Sequence, residues 1–70
     1  MDTQQIVNLK EQASRLETAL RNAKSAMLTF AKDPVLNRAS MLEKQSEIVA
    51  LKVQLKDAKR AVLEAELEAL

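Results

Sequence analysis

Three glutamates near the end of the chain come closest to a catalytic or metal-binding set. Glu64, Glu66 and Glu68 alternate with Ala65 and Leu67. Carboxylates can bind a divalent cation or exchange protons with a substrate, but they need further groups held at a fixed distance. On a helix, residues two apart point about 200° apart, so only Glu64 and Glu68 share a face. We therefore expect a solvated acidic face here rather than a metal or acid–base site.

Four basic residues form the only cationic cluster in the sequence. Lys52, Lys56, Lys59 and Arg60 are spaced along one face of a helix, with Asp57 among them. Such a face can contact phosphate groups, but no aromatic residue accompanies it for base stacking. We interpret the cluster as a solvated face, with an acidic protein partner as the first alternative. Nucleic acid is the second, and its binding would weaken steeply with added salt.

The composition argues against an enzyme. The 70 residues include no His, Cys, Gly, Trp or Tyr. The usual ligands of zinc, haem and iron–sulfur centres are therefore missing, as are glycine-rich phosphate loops. Ser46 interrupts an apolar pattern, but a serine without histidine lacks the usual general base. We expect no catalytic residue, no cofactor and no metal.

Length and charge favour a small domain that needs a partner. Chains below roughly 70–80 residues seldom build a core worth more than about 3–5 kcal/mol without disulfides, metals or association. The net charge of +1 gives no overall attraction to nucleic acid or to an anionic membrane. No apolar run is long enough to cross a bilayer, and residues 1–5 do not resemble a signal peptide. We expect a cytoplasmic location.

The first predicted helix opens with a capping box and carries an unbroken heptad pattern. Asp2 can cap the free backbone N–H groups, and Gln5 can reach back to it as in a capping box, with Thr3 an equally plausible cap. The apolar positions then recur at alternating spacings of three and four residues, which is typical of a helix with one packed face. These positions are Ile6, Leu9, Ala13, Leu16, Leu20, Ala23, Met27 and Phe30.

A single break divides the chain. Asp33 is a good helix cap, and Pro34 suits the first turn of a helix because it has no N–H to satisfy. The sequence thus predicts helices over 3–31 and 34–69, joined by a turn at 32–34, in one domain. The fold class is all-α, an antiparallel, coiled-coil-like two-helix hairpin that a partner or self-association completes. The alternative is one long helix kinked at Pro34.

The second predicted helix carries two apolar stripes, offset from each other by one residue. One of them closes the hairpin, and the other remains as surplus apolar surface. Stripe A consists of Val35, Ala39, Leu42, Ser46, Val49, Val53, Lys56, Arg60, Leu63, Leu67 and Leu70. Stripe B consists of Met41, Lys44, Ile48, Leu51, Leu55, Ala58, Val62, Ala65 and Ala69.

A turn near Asp33 would place residue i of the first helix near residue 66 − i of the second. In this register stripe A closes the hairpin near the turn, and stripe B is the more apolar surface between residues 48 and 69. Residues 61–70 would overhang the first helix, either as an interface or as a fraying end. The residues predicted to bind a partner are Ile48, Leu51, Leu55, Val62, Leu63 and Leu67.

The layout resembles a known group, the short helical-hairpin co-chaperones of the type III secretion needle subunit. The similarity covers roughly residues 9–55: the segment 16–21 before the turn, the proline at the turn, and the segments 41–45 and 50–51 after it. The turn 33–36 is also similar to that of needle subunits, although the chain lacks their tyrosines and their Asn-rich second helix. The resemblance implies a cytoplasmic protein that docks on a helical-repeat chaperone and keeps a needle subunit unpolymerised.

Two functional hypotheses follow. The first is a non-catalytic protein-binding module, co-chaperone-like, that packs its surplus stripe on a helical partner. The second is self-assembly, as a four-helix-bundle dimer or as a scaffold or secretion-apparatus subunit. Both use the same apolar surface, so the sequence separates them poorly.

Overall fold

The computed structural model describes residues 2–70 and contains two helices packed side by side. Helix α1 spans Thr3–Phe30 and helix α2 spans Arg38–Ala69. They run antiparallel in a narrow rod whose Cα atoms extend over 53 × 14 × 11 Å. The predicted all-α fold, a two-helix hairpin, is confirmed.

Helix α1 begins as its sequence predicts. The Oδ1 atom of Asp2 accepts a hydrogen bond from the backbone N–H of Gln5 at 2.8 Å, and the Oε1 atom of Gln5 accepts one from the backbone N–H of Asp2 at 3.2 Å. Together these bonds satisfy two N–H groups that a helix start leaves free. The predicted capping box is therefore confirmed.

The connection between the helices is longer than predicted. Asp33 does act as a cap, since its Oδ1 accepts from the N–H of Leu36 at 3.3 Å. Its backbone carbonyl also accepts from the N–H of Asn37 at 3.0 Å, which closes one helical turn after Pro34. The backbone then leaves the helical region at Asn37 (φ −101°, ψ 18°), so α2 begins at Arg38 and not at residue 34. The predicted turn at 32–34 becomes a connection over residues 31–37.

Asn37 ties this connection back to α1. Its side-chain amide Nδ2 donates to the backbone carbonyl of Phe30 at 3.2 Å, and both residues are partly buried. That carbonyl belongs to the last turn of α1 and also accepts a hydrogen bond from the backbone N–H of Asp33 at 3.1 Å. The bond thus joins the end of α1 to the residue that starts α2.

The register of the hairpin differs from the prediction. Two ion pairs join the helices: Lys10 Nζ lies 4.0 Å from Glu66 Oε1, and Lys59 Nζ lies 3.4 Å from Glu17 Oε1. Both pairs match residue i with residue 76 − i, not 66 − i. The chain completes the extra turn after Pro34 before it reverses, which moves the reversal towards Asn37. The predicted register is therefore wrong by about ten residues.

The predicted overhang of residues 61–70 is wrong for the same reason. Ala65, in the middle of that segment, is only 1% exposed and is the most buried of the core residues. Glu66, the next residue in the sequence, pairs with Lys10 in the second turn of α1. Most of the segment consequently packs along the start of α1.

Stripe B, not stripe A, closes the hairpin. Its members from Met41 to Val62 are half-buried, and Ala65 is buried, whereas the large apolar residues of stripe A are exposed. Facing stripe A inward would have removed Lys56 and Arg60 from water, and burial of unpaired charge is very unfavourable. Stripe B contains only Lys44, whose Nζ reaches Glu47 Oε2 at 2.9 Å near the surface.

Substitutions on the two stripes should separate their roles. We expect Leu55→Asp, within stripe B, to lower the free energy of unfolding by about 2–3 kcal/mol, because it places a carboxylate between the helices. Leu63→Asp is the matched change on stripe A and should alter stability by no more than about 0.5 kcal/mol. Thermal and urea unfolding followed by circular dichroism at low concentration measures both. Equal loss of helicity in the two variants would contradict the assignment of the stripes.

The Asn37 bond gives a second prediction. Replacing Asn37 by Ala removes the donor to the Phe30 carbonyl, and we expect a loss of about 1 kcal/mol in the free energy of unfolding. Asn22→Ala on the exposed face of α1 is the control, and it should leave stability unchanged or slightly raised, since Ala is the better helix former. If both variants unfold at the same urea concentration, Asn37 does not hold the hairpin closed.

Candidate protein-binding surface

Helix α2 carries a row of exposed apolar side chains. Five members of stripe A in α2, with exposed fractions between 57% and 67%, recur at spacings of four to ten residues along one face. Exposed apolar residues that are scattered singly are ordinary in proteins, but a row of this kind is typical of a contact surface. The five residues are Leu42, Val49, Val53, Leu63 and Leu67.

Two cations interrupt this row at its middle. Lys56 and Arg60 occupy the stripe A positions between Val53 and Leu63 and are exposed. They divide stripe A into an apolar half before residue 54 and another after residue 62. A partner that covers the whole stripe must therefore accommodate or neutralise two positive charges.

The two sides of stripe A have opposite charge. Helical geometry places Arg38, Lys52 and Lys59 along one flank, each about 80° from the centre of the stripe. The other flank carries the acidic residues Glu43, Asp57 and Glu64 at the same angular distance. A partner helix would thus meet basic side chains on one side and acidic side chains on the other.

The basic flank continues into an open groove between α1 and α2. Arg21 and Lys24 of α1 and Lys59 of α2 line it around an apolar floor formed by Leu20 and Leu55, and Glu17, the partner of Lys59, is its one acidic residue. Lys52, Lys56 and Arg60 border its continuation on α2 around the same two leucines. Sequence reasoning found the four basic residues of α2 but missed Arg21 and Lys24 of α1. These two residues lie beside the basic residues of α2 only in the observed register. The basic surface is therefore larger than the sequence indicated.

The structure divides the six residues predicted to bind a partner. Ile48, Leu51, Leu55 and Val62 belong to stripe B and are half-buried in the hairpin. Leu55 lines a groove together with Leu20 of α1, and Val62 does so with Ala13. These four positions support the hairpin itself, which is a correction to their interpretation as surplus surface.

Leu63 and Leu67 are the two predicted residues that remain mostly exposed, at 63% and 67%. Leu63 also borders the grooves that contain Ala13 and Leu20 of α1. Their part in partner binding stays a prediction. Sequence reasoning did not select Leu42, Val49 and Val53, although they lie on the same stripe. The charged residues Lys56 and Arg60 were the feature of the sequence that could have identified stripe A as the exposed stripe, because charged side chains favour contact with water.

The glutamates near the end of the chain are not gathered into one cluster. Glu66 is engaged with Lys10, and within residues 2–70 no three acidic side chains come together in the manner of a cation site. In the same part of the chain, neither helix contains a stretch apolar and long enough to cross a bilayer.

The register also predicts a charge conflict that a single substitution should relieve. The register of the Lys10–Glu66 and Glu17–Lys59 pairs, extended by one heptad, predicts that Lys24 lies opposite Lys52. Lys24→Glu should raise the free energy of unfolding by about 0.5 kcal/mol at low salt, because it replaces repulsion with an exposed ion pair. The gain should disappear in about 1 M NaCl, where the screening length falls to about 3 Å. Lys24→Gln is the control and should give a smaller gain; no gain from Lys24→Glu would contradict the register.

Searches against protein-family models, curated proteins and solved structures find no match for this chain. The case for its function consequently depends on the surface described above.

Proposed function

We propose that this chain is a non-catalytic protein-binding module that packs stripe A of α2 onto a helix of a partner. The observation that carries the proposal is the exposed apolar row on α2 from Leu42 to Leu67. A partner helix laid along that face would bury apolar side chains at heptad spacing, as helices do when they bind in hydrophobic grooves.

The thin core gives the hairpin a physical reason to bind. Among residues 2–70, only Ala13, Ala23 and Ala65 are buried, and they contribute little apolar area. Covering one leucine of stripe A contributes about 1.5–3 kcal/mol, at about 25 cal/mol per Å² of apolar surface. Binding through Leu63 and Leu67 would therefore add a large fraction of the stability that a chain of this size can have.

If the partner is a different protein, the resemblance to needle-subunit co-chaperones indicates the candidates. In that version of the proposal, the hairpin docks on a helical-repeat chaperone and helps to keep a needle subunit unpolymerised. The flanking charges would orient it, because complementary charges around an apolar contact fix register and suppress wrong partners.

Self-assembly is the second candidate function, and a specific observation favours it. The basic flank and the acidic flank of stripe A lie on the same helix, so a second copy offers charges of both signs. A structural coiled-coil role would use this surface without any other protein.

The co-chaperone version is tested by co-expressing the tagged hairpin with a needle subunit and its helical-repeat chaperone. Wild type should retain the complex on affinity and size-exclusion columns, and Leu63→Asp should weaken it at least tenfold, since about 1.4 kcal/mol corresponds to a factor of ten. Gln54→Asp, an exposed position off stripe A on the same helix, is the matched control and should bind like wild type. A complex that tolerates Leu63→Asp as well as it tolerates Gln54→Asp would contradict the assignment of stripe A as the contact surface.

A further inference from the structure

Stripe A has the pattern of a second, unpaired coiled-coil face on α2. Its spacing alternates between three and four residues throughout, as the core positions of a heptad do. Val53 and Leu67 occupy one of the two core positions, and Leu42, Val49 and Leu63 occupy the other. A face of this kind is built to pack against another helix that carries the same repeat.

We propose that the occupant of stripe A is a second copy of this chain, with the two α2 helices parallel and in register. The inference rests on the proposed function, because it uses the same stripe, and it adds the identity and the direction of the partner. Stripe A and stripe B point about 150° apart around α2. A second α2 can therefore lie along stripe A while α1 remains packed on stripe B.

The flanking charges determine the direction. In a parallel coiled coil, the residue on one flank faces the residue five positions later on the opposite flank of the other helix. Here Arg38 would face Glu43 of the second copy, Lys52 would face Asp57, and Lys59 would face Glu64. Each pair occurs twice by symmetry, and every one joins opposite charges. The uncharged pair Gln45 and Ala50 lies between the first two of these pairs.

An antiparallel arrangement would reverse this result. In antiparallel helices each flank faces the same flank of the other helix. Apart from Glu66, which shares their flank, Arg38, Lys52 and Lys59 would then meet basic residues, and the acidic flanks would meet each other. Like charges placed opposite one another across a contact oppose association. The charge pattern therefore selects the parallel dimer.

Lys56 and Arg60 set the register of this dimer and limit its strength. In the parallel, in-register arrangement, Lys56 faces Lys56 of the second copy, and Arg60 faces Arg60 in the next layer. These long side chains can extend to the rim of the contact. If one helix were shifted by one heptad, Lys56 of one copy would face Leu63 of the second copy. Lys56 of the second copy would then face Val49 of the first. Polar residues at core positions are known to specify register at the expense of stability.

Cysteine cross-linking tests both the contact and its direction. The chain has no cysteine, so single variants carry a unique thiol. In the parallel dimer, Val49→Cys and Leu63→Cys each bring two identical residues together, within the separation that a disulfide bridges. Both variants should form disulfide-linked dimers under mild oxidation. Gln54→Cys, off stripe A, is the control and should remain largely monomeric.

Other cross-linking results would overturn the proposal. If neither Val49→Cys nor Leu63→Cys alone forms a dimer, but a mixture of Val49→Cys with Leu67→Cys does, the helices pack antiparallel, because antiparallel layers set one core position against the other. If no combination cross-links and the wild type sediments as a monomer at high concentration, a second copy does not cover stripe A. The co-expression experiment with Leu63→Asp would still decide whether stripe A binds another protein, so failure of the dimer and failure of the proposed function are distinguishable.

A charge-exchange variant gives an independent test. It combines Arg38→Glu with Glu43→Lys, and Lys52→Glu with Asp57→Lys, and leaves the Glu17–Lys59 pair intact. In parallel packing this variant should associate with itself like wild type, yet a tagged form should fail to capture wild type, because the exchanged flanks would face like charges. Efficient capture of wild type by the tagged variant would indicate antiparallel packing and overturn the proposal.

Discussion

Two helices cannot enclose a large side chain, and the rest of this structure depends on that constraint. Each helix can cover only one side of the other, so full burial is reached by Ala13, Ala23 and Ala65 alone among the described core residues. The larger apolar residues between the helices are half-buried, with one edge in water. The hairpin therefore gains little hydrophobic stabilisation for its length, and additional burial must come from outside the hairpin.

The same constraint leaves the second apolar stripe of α2 without a neighbour in the hairpin. A helix that packs on one neighbour needs a single apolar face, yet α2 carries two. Charge decides which face turns inward: stripe B holds only Lys44, whereas stripe A holds Lys56 and Arg60. Packing stripe A against α1 would have removed both cations from water. What remains outside is an apolar row, divided at its centre and flanked by opposite charges.

The connection between the helices shows how one local interaction sets a long-range arrangement. Asp33 caps a single helical turn, and Asn37 then ends that turn and bonds back to Phe30. The chain therefore reverses several residues later than its proline suggests. All positions of α2 shift along α1 as a consequence, which pairs Glu17 with Lys59 and brings Arg21 and Lys24 into the basic groove.

The sequence by itself determined the two helices, the capping box at Asp2 and the all-α hairpin, because composition, heptad spacing and caps act over a few residues. The tertiary structure decided the register, the direction in which each stripe faces, and the extent of the basic groove. Register depends on where the chain reverses, which involves contacts between the connection and α1. The choice between stripes A and B depends on comparing two burial energies on one helix, and apolar spacing alone does not measure the desolvation of Lys56 and Arg60.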